Sequence, residues 1–169
     1  MTARPRPAVR VGIGFDSHAF APGGPLVLGG VHIPGDVRLR GHSDGDAVAH
    51  AIADAILGAA GHGDIGALFP DTDPANAGRD SMEMLRAAAT RIGAAGWRVQ
   101  QVDVTVVAER PQIAPYRAAM CGALARALGI EPADVSVKGK TNEGMGWIGR
   151  GEGLAALAVA TLTTEESSA

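Results

Sequence analysis

The sequence predicts an α/β fold of the α+β kind: a mixed β-sheet with helices on one face and a small N-terminal hairpin. Three observations carry that expectation. β-branched runs at Val9–Phe20, Trp97–Glu109 and from Val135 alternate with helix-forming runs after Asp46, after Asp80 and after Pro115. PLVLGGVHIP, Pro25 to Pro34, sets two short apolar runs about Gly29-Gly30, a hairpin signal. At 169 residues, 46% apolar and only 4% aromatic, the chain suits one domain with a core of Ala, Val, Ile and Leu. So small and apolar a chain is also suited to burying surface against copies of itself.

Taken in order, residues 1–8 read as a disordered N-terminus, residues 9–163 as a single domain and residues 164–169 as a polar tail. Val9 to Phe20 reads as a strand, followed by the hairpin, and GDVRLRGHSDG as a loop into a helix from Asp46 to Gly61. The next twenty residues are rich in Gly, Pro and Asp and read as a long functional loop, anchored by Ile65, Leu68 and Phe69. Asp80 or Ser81 caps a second helix that ends before Gly96, with Met84, Leu85, Ala88 and Ile92 as its stripe. Trp97–Glu109 is a long strand, Pro111 and Pro115 bracket a turn, and a third helix stops at Gly129. Val135 opens a strand that becomes a glycine-studded loop, and GLAALAVATLT is a buried strand or short helix.

Charge and cysteine usage narrow the function classes. A net charge of −3 argues against nucleic acid and acidic membranes as general partners. The only two lysines, Lys138 and Lys140, lie two apart beside a polar loop, which suits an anion. Cys121 in an apolar helix reads as a buried small hydrophobe, so no disulfide closes within the chain. The basic start is not followed by a signal-peptide core, and no apolar span is long enough for a bilayer. The expectation is a cytoplasmic, soluble protein.

Three groups of residues carry chemistry. GFDSHAF places Asp16 and His18 two apart, so in a strand both side chains leave the same face. GHSDGDAVAH opens a helix on which Asp46, His50 and Asp54 fall at i, i+4 and i+8. Asp16, His18 and His50 together are a divalent-metal set with one coordination position open, and Asp46 or Asp54 is suited to orient the His50 ring. The plain alternative is a core histidine satisfied by hydrogen bonds.

The second group is KTNEGMGWIGRGEG, with Lys140, Thr141, Glu143 and Arg150 among five glycines from Gly144 to Gly153. Free backbone N–H groups and a guanidinium suit phosphate, and Glu143 joins them only if a hard cation such as Mg²⁺ stands between. The alternative is a flexible surface loop, against which Met145, Trp147 and Ile148 argue. The third group is His42 and Ser43 at the mouth of the first helix, where N–H groups favour an anion. His42 either stabilises phosphoryl charge or caps the loop. Asp64, Asp71 and Asp73 either hold a polyol or serve as turn residues; His32 and His62 read as structural or surface. Metal-assisted phosphoryl transfer uses all three groups together. The competing classes are a metal-dependent hydrolase and a ligand-binding protein without catalysis.

The ordered set GFDSHAF, GHSDGDAVAH, GDIGALFPDTDP, VDVTVVAERP and KTNEGMGWIGRGEG resembles the 2-C-methyl-D-erythritol 2,4-cyclodiphosphate synthase family, over roughly Val9 to Leu162. The resemblance implies a homotrimer with active sites between adjacent subunits. It implies a phosphorus-oxygen lyase of non-mevalonate isoprenoid biosynthesis, acting on 4-diphosphocytidyl-2-C-methyl-D-erythritol 2-phosphate, closing the cyclic diphosphate and releasing CMP.

By the same resemblance Asp16, His18 and His50 hold Zn²⁺, and Glu143 helps hold Mg²⁺ or Mn²⁺ across the substrate phosphates. His42 and Thr141 match transition-state positions, and Ser43 lies beside the substrate. Asp64, Ile65 and Gly66, with Phe69, Pro70, Asp71, Thr72 and Asp73, match the methylerythritol side. Ala108, Pro111, Gln112, Ile113 and Ala114, with Lys140, Thr141, Asn142 and Glu143, match the cytidine diphosphate side. Phe15, Trp147 and Arg150 would line, or border, an apolar channel on the three-fold axis that takes isoprenoid diphosphates in the family. Two positions depart from it: Gln112 stands where many relatives carry Lys, and Trp147 where several carry Phe.

Overall fold

The computed structural model describes residues 9–164. The segment 1–8 and the tail beyond residue 164 lie outside the described residues. The elements run β1 (Val9–Pro22), β2 (Leu26–Leu28), β3 (Val31–Ile33), β4 (Val37–Leu39), α1 (Ala47–Ala60) and α2 (Ile65–Leu68). They continue with α3 (Ser81–Ala94), β5 (Trp97–Val107), α4 (Arg117–Leu128), β6 (Val135–Lys140), α5 (Gly146–Gly149) and β7 (Gly153–Thr164). Five strands form one sheet in the order β4-β1-β7-β5-β6, while β2 and β3 pair antiparallel about Gly29-Gly30. The sheet is mixed: only β5 and β6 run parallel, and α4 supplies the crossover that a parallel pair needs.

Why α1 is so poor in polar residues follows from its place. It lies on β1 and β7 with α3 packed against it, and eleven of its fourteen residues are buried, so it is apolar nearly all round. Its approach to β1 is set by two glycines. A Cβ on Gly12 would stand 2.0 Å from the Ala55 carbonyl oxygen, and one on Gly14 1.8 Å from that of Ala51. Alanine on one side and glycine on the other let backbone meet backbone. Asp46 caps the helix by accepting from the N–H groups of Val48 and Ala49, and Gly61 closes it in the left-handed region.

From Val9 to Phe20 β1 alternates. Its even residues face α1, and its odd residues Val9, Val11, Ile13 and Phe15 are exposed, Ile13 at 67% and Phe15 at 58%. The register sets Phe15 opposite Leu157 and Ile13 opposite Val159, both of them also exposed, so one sheet face carries an apolar patch.

The structure corrects two element readings and settles a third. GDVRLRG is not wholly loop, because Val37–Leu39 adds β4 to the sheet edge, pairing Leu39 with Phe20. The long segment after Gly61 holds α2 and a 3₁₀ turn at Pro74–Asn76, each capped by an aspartate. GLAALAVATLT is a strand, not a helix, and sits in the middle of the sheet between β1 and β5. Cys121 is half-buried, its thiol donating to the Val135 carbonyl at 3.3 Å. No helix among the described residues is long and apolar enough to cross a membrane.

Candidate active site

β1 and α1 build a centre of one carboxylate and two imidazoles. Asp16 and His18 leave the inward face of β1, and His50 reaches them from α1, one residue before the Ala51–Gly14 contact. Asp16 Oδ2 lies 2.8 Å from His18 Nε2 and 3.1 Å from His50 Nδ1. His18 Nδ1 is 2.7 Å from the Arg40 carbonyl oxygen, which can only accept, so Nδ1 carries the hydrogen. That leaves a lone pair on His18 Nε2, which is buried without a hydrogen-bond partner and faces a carboxylate oxygen. Such a convergence calls for a cation. The donor atoms lie within 4.8 Å of one another, and one carboxylate with two imidazoles fits Zn²⁺ with a position to spare.

Without a metal, a proton meets the same demand. Burial would raise the Asp16 carboxyl, but hydrogen bonds and charge from His18 and His50 outweigh it and hold the pKa at about 2. Burial would lower His18, yet the Asp16 carboxylate beside its Nε2, with the Arg40 carbonyl on Nδ1, raises it above the usual range.

The support of His50 differs from the one expected. Asp46 does not orient the ring: fully buried, it accepts from the backbone N–H groups of Gly29 and Gly30 at 2.8 and 2.7 Å as well as from the helix. Burial nevertheless pushes its carboxyl up. The N-terminus of α1 is therefore filled by the protein's own acid, and the reading of it as an anion seat fails. Nor does Asp54 bond to His50; it accepts from Ile65 N at 2.7 Å and so positions α2, with burial pushing its carboxyl up too. His50 Nε2 instead meets Ser81 Oγ at 2.8 Å and Ser43 Oγ at 3.1 Å.

A cavity of about 560 Å³ opens from this centre, and His42, Ser43, Ile65, Gly66, Phe69 and Asp71 line it together with Asp16, His18 and His50. His42 is 73% exposed, and its Nε2 stands 3.9 Å from an Asp71 oxygen. Asp64 caps α2 through Ala67 N, and Asp73 caps the following turn through Ala75 N, so both serve as cap residues whose outer oxygen stays available. Pro70 and Thr72 lie in the exposed stretch between, where the Pro70 carbonyl accepts from Asn76 Nδ2 at 3.0 Å. Arg79 lies over the Phe69 ring at 4.7 Å, which steadies that wall.

The remaining expected residues gather elsewhere. Ala108, Pro111, Gln112, Ile113, Ala114 and Lys140, with Thr141, line a separate hollow of about 200 Å³ at the ends of β5 and β6. Glu109 clamps the adjoining loop, its Oε1 accepting from Asn142 N at 3.0 Å and Gly144 N at 3.1 Å. Between those two residues Glu143 adopts φ +52°, the left-handed region that a non-glycine residue rarely enters, and accepts from Thr141 Oγ1 at 2.9 Å. Trp147 lies on α5, and Arg150 Nε pairs with Glu152 at 2.6 Å. Lys138 is spent on Asp103 at 2.7 Å, so of the two lysines only Lys140 faces this hollow. Among the described residues the two cavities share no lining residue: Thr141 belongs to the hollow and not to the cavity of the Asp-His-His centre, and Glu143 lines neither.

Four supporting residues escaped the sequence reading: Arg40, which acts through its carbonyl, Asp44, Ser81 and Glu109. Only Glu109 carried a usable signal, as the lone acid at the end of a long strand.

Fold and site together define an α+β protein with an Asp-His-His cluster of the kind that can hold a metal and, apart from it, an anion-friendly loop. A profile of the YgbB family matches residues 9–163, and the chain belongs to that family. A Gemmatimonas aurantiaca protein named 2-C-methyl-D-erythritol 2,4-cyclodiphosphate synthase is 60% identical over 160 residues, covering 95% of this chain and 96% of that one. Among solved structures, an IspF from Plasmodium falciparum in complex with CDP superposes with TM-score 0.82 at 35% identity, over 94% of this chain and 98% of the other. The bifunctional IspDF of Campylobacter jejuni gives TM-score 0.89 at 41% identity, over 92% of this chain and 42% of that longer one.

Proposed function

We propose that this protein is a metal-dependent cyclodiphosphate synthase that converts 4-diphosphocytidyl-2-C-methyl-D-erythritol 2-phosphate to 2-C-methyl-D-erythritol 2,4-cyclodiphosphate. A 2-phosphate oxygen attacks the β-phosphorus, the bond from that phosphorus to the bridging oxygen of CMP breaks, and CMP leaves with the electron pair. The observation that carries this reading is the convergence of His18 Nε2 and His50 Nδ1 on Asp16 Oδ2 in a protein of this family. Those three residues would hold Zn²⁺, which would supply Lewis-acid stabilisation to a substrate phosphate. Glu143 is the residue suited to a second divalent ion, Mg²⁺ or Mn²⁺. The chain's own task is positioning two anionic groups against each other, so no general base is required.

Assembly completes the site in this reading. The metal cavity and the Ala108–Thr141 hollow are separate in one chain, and the apolar patch of Ile13, Phe15, Leu157 and Val159 offers a surface for other copies. A homotrimer that buries this face and sets one subunit's nucleotide side beside the next subunit's metal accounts for both. Phe15, Trp147 and Arg150 would then stand near the three-fold axis, where an isoprenoid diphosphate could bind.

The test is incubation with 4-diphosphocytidyl-2-C-methyl-D-erythritol 2-phosphate, Zn²⁺ and Mg²⁺, followed by ³¹P NMR. The expected result is CMP in equal amount to a cyclic diphosphate; a linear product, or untouched substrate with metal-loaded protein, overturns the proposal. Glu143→Gln should raise the Mg²⁺ needed for turnover and leave zinc bound, and an unchanged Mg²⁺ dependence removes Glu143 from that role.

A further inference from the structure

We propose that Asp44 and Ser81 act as a strut behind the metal centre that locks His50 in its Nε2–H tautomer, reserving Nδ1 for the metal. The inference rests on the reading of Asp16, His18 and His50 as a metal site and is independent of which substrate is used.

Counting hydrogens makes the case. A carboxylate only accepts. Both oxygens of Asp44 are engaged from the protein side: Oδ1 accepts from Asp46 N at 3.1 Å and Oδ2 from Ser81 N at 3.2 Å. Ser81 Oγ donates its single hydrogen to Asp44 Oδ1 in a short bond. Toward His50 Nε2, 2.8 Å away, Ser81 Oγ can therefore only accept. Ser43 Oγ, which already accepts from Gly45 N at 3.2 Å, stands at 3.1 Å as a second partner for the same nitrogen. His50 Nε2 must carry the hydrogen, and its Nδ1 lone pair is turned toward Asp16.

His18 is fixed in the opposite sense, with Nδ1–H on the Arg40 carbonyl and Nε2 free. The two imidazoles thus take different tautomers, each imposed by an acceptor outside the centre, and each presents its lone pair inward. Ser81 is fully buried, so no solvent competes for its hydroxyl. The strut is itself tied down by backbone bonds from Gly78 N to the His42 carbonyl at 2.6 Å and from Asp44 N to the Arg79 carbonyl at 3.3 Å. Ser81 and Asp44 are positioning residues, since neither reaches the donor cluster.

The test uses the full chain and two readouts that need no turnover: zinc affinity by competition with a chromophoric chelator, and histidine side-chain ¹⁵N shifts in the metal-free protein. Ser81→Ala should weaken zinc binding about 10- to 100-fold and abolish the single Nε2–H signature of His50. Ser81→Thr, which keeps the hydroxyl, should restore both. Asp44→Ala removes both acceptor oxygens, frees the Ser81 hydroxyl hydrogen to turn toward His50 Nε2 and should shift the tautomer the same way; because Asp44 is only partly buried, it keeps the idea testable if Ser81→Ala fails to fold. Wild-type zinc affinity and an unchanged His50 tautomer in the folded Ser81→Ala or Asp44→Ala protein overturn the strut. Wild-type protein that takes up no zinc overturns the metal reading with it. A wild-type protein that binds zinc yet leaves the cytidyl substrate untouched refutes only the proposed reaction.

Discussion

The two halves of the site are built on opposite terms. The Asp-His-His half, proposed as the metal site, stands on β1 and α1, elements whose backbones touch through Gly12 and Gly14, and its three side chains are mostly buried, with His50 12% exposed. The loop half, Thr141 to Arg150, is largely exposed, and outside its own turns it is tied through the N–H groups of Asn142 and Gly144 to one carboxylate, Glu109. Buried side chains fix the first, while the second has few of its own and depends on what lies beside it. A metal centre tolerates little misplacement, whereas a surface that closes on a flexible ligand can complete itself on binding.

This contrast can be broken at its strongest point first. Gly14→Ala puts a Cβ 1.8 Å from a backbone oxygen that cannot step aside. It should cost at or above the upper end of the ~1–3 kcal/mol typical of overpacking, with zinc retention lost; denaturant unfolding at wild-type midpoint would show that the close contact is not needed. His50→Ala should leave the fold intact and drop zinc to background, read by elemental analysis. Retained zinc would remove His50 from the ligand set.

Smaller effects belong to the loop half. Glu109→Ala frees two backbone N–H groups that water can satisfy, so stability should change by no more than about 1 kcal/mol. Turnover should nonetheless fall roughly 10- to 100-fold through misplacement, with zinc affinity untouched; a parallel loss of zinc would mean that the halves are coupled within one chain. Least of all is expected from Lys138→Ala, which breaks an exposed pair with Asp103. Thermal melts should move by the equivalent of about 0.2–1 kcal/mol or less, and a large drop in activity would place Lys138 in the site after all.

What could be read from the sequence follows from the range of its signals. Alternation along β1 and one helix position gave Asp16, His18 and His50, because strand and helix periodicity act locally. The same helical spacing misled at Asp46, which as the N-cap has φ −66° and ψ 89° and lies outside the helical repeat. Asp54 is inside the helix and near the ring, but the N–H of Ile65 offered it a better partner. β4 was too short at three residues for alternation to show. Ser81 and Asp44 stand 37 residues apart, so only the folded chain shows them as one device. The resemblance supplied the residues of the loop half together, but the detachment of that half from the metal within one chain was visible only in three dimensions.

The alternation of β1 has a consequence for how the strand can change over generations. Even positions answer to the metal through Asp16 and His18 and to α1 through Gly12 and Gly14, while odd positions from Val9 to Phe15 answer to whatever covers the open sheet face. Tolerance to substitution along this segment should trace a sawtooth of period two, each tooth judged by a different assay. A single inserted or deleted residue would exchange the two roles wholesale, turning the metal-binding carboxylate outward and a phenyl ring inward. The strand can drift in composition on either face, but its length between Gly12 and His18 is frozen.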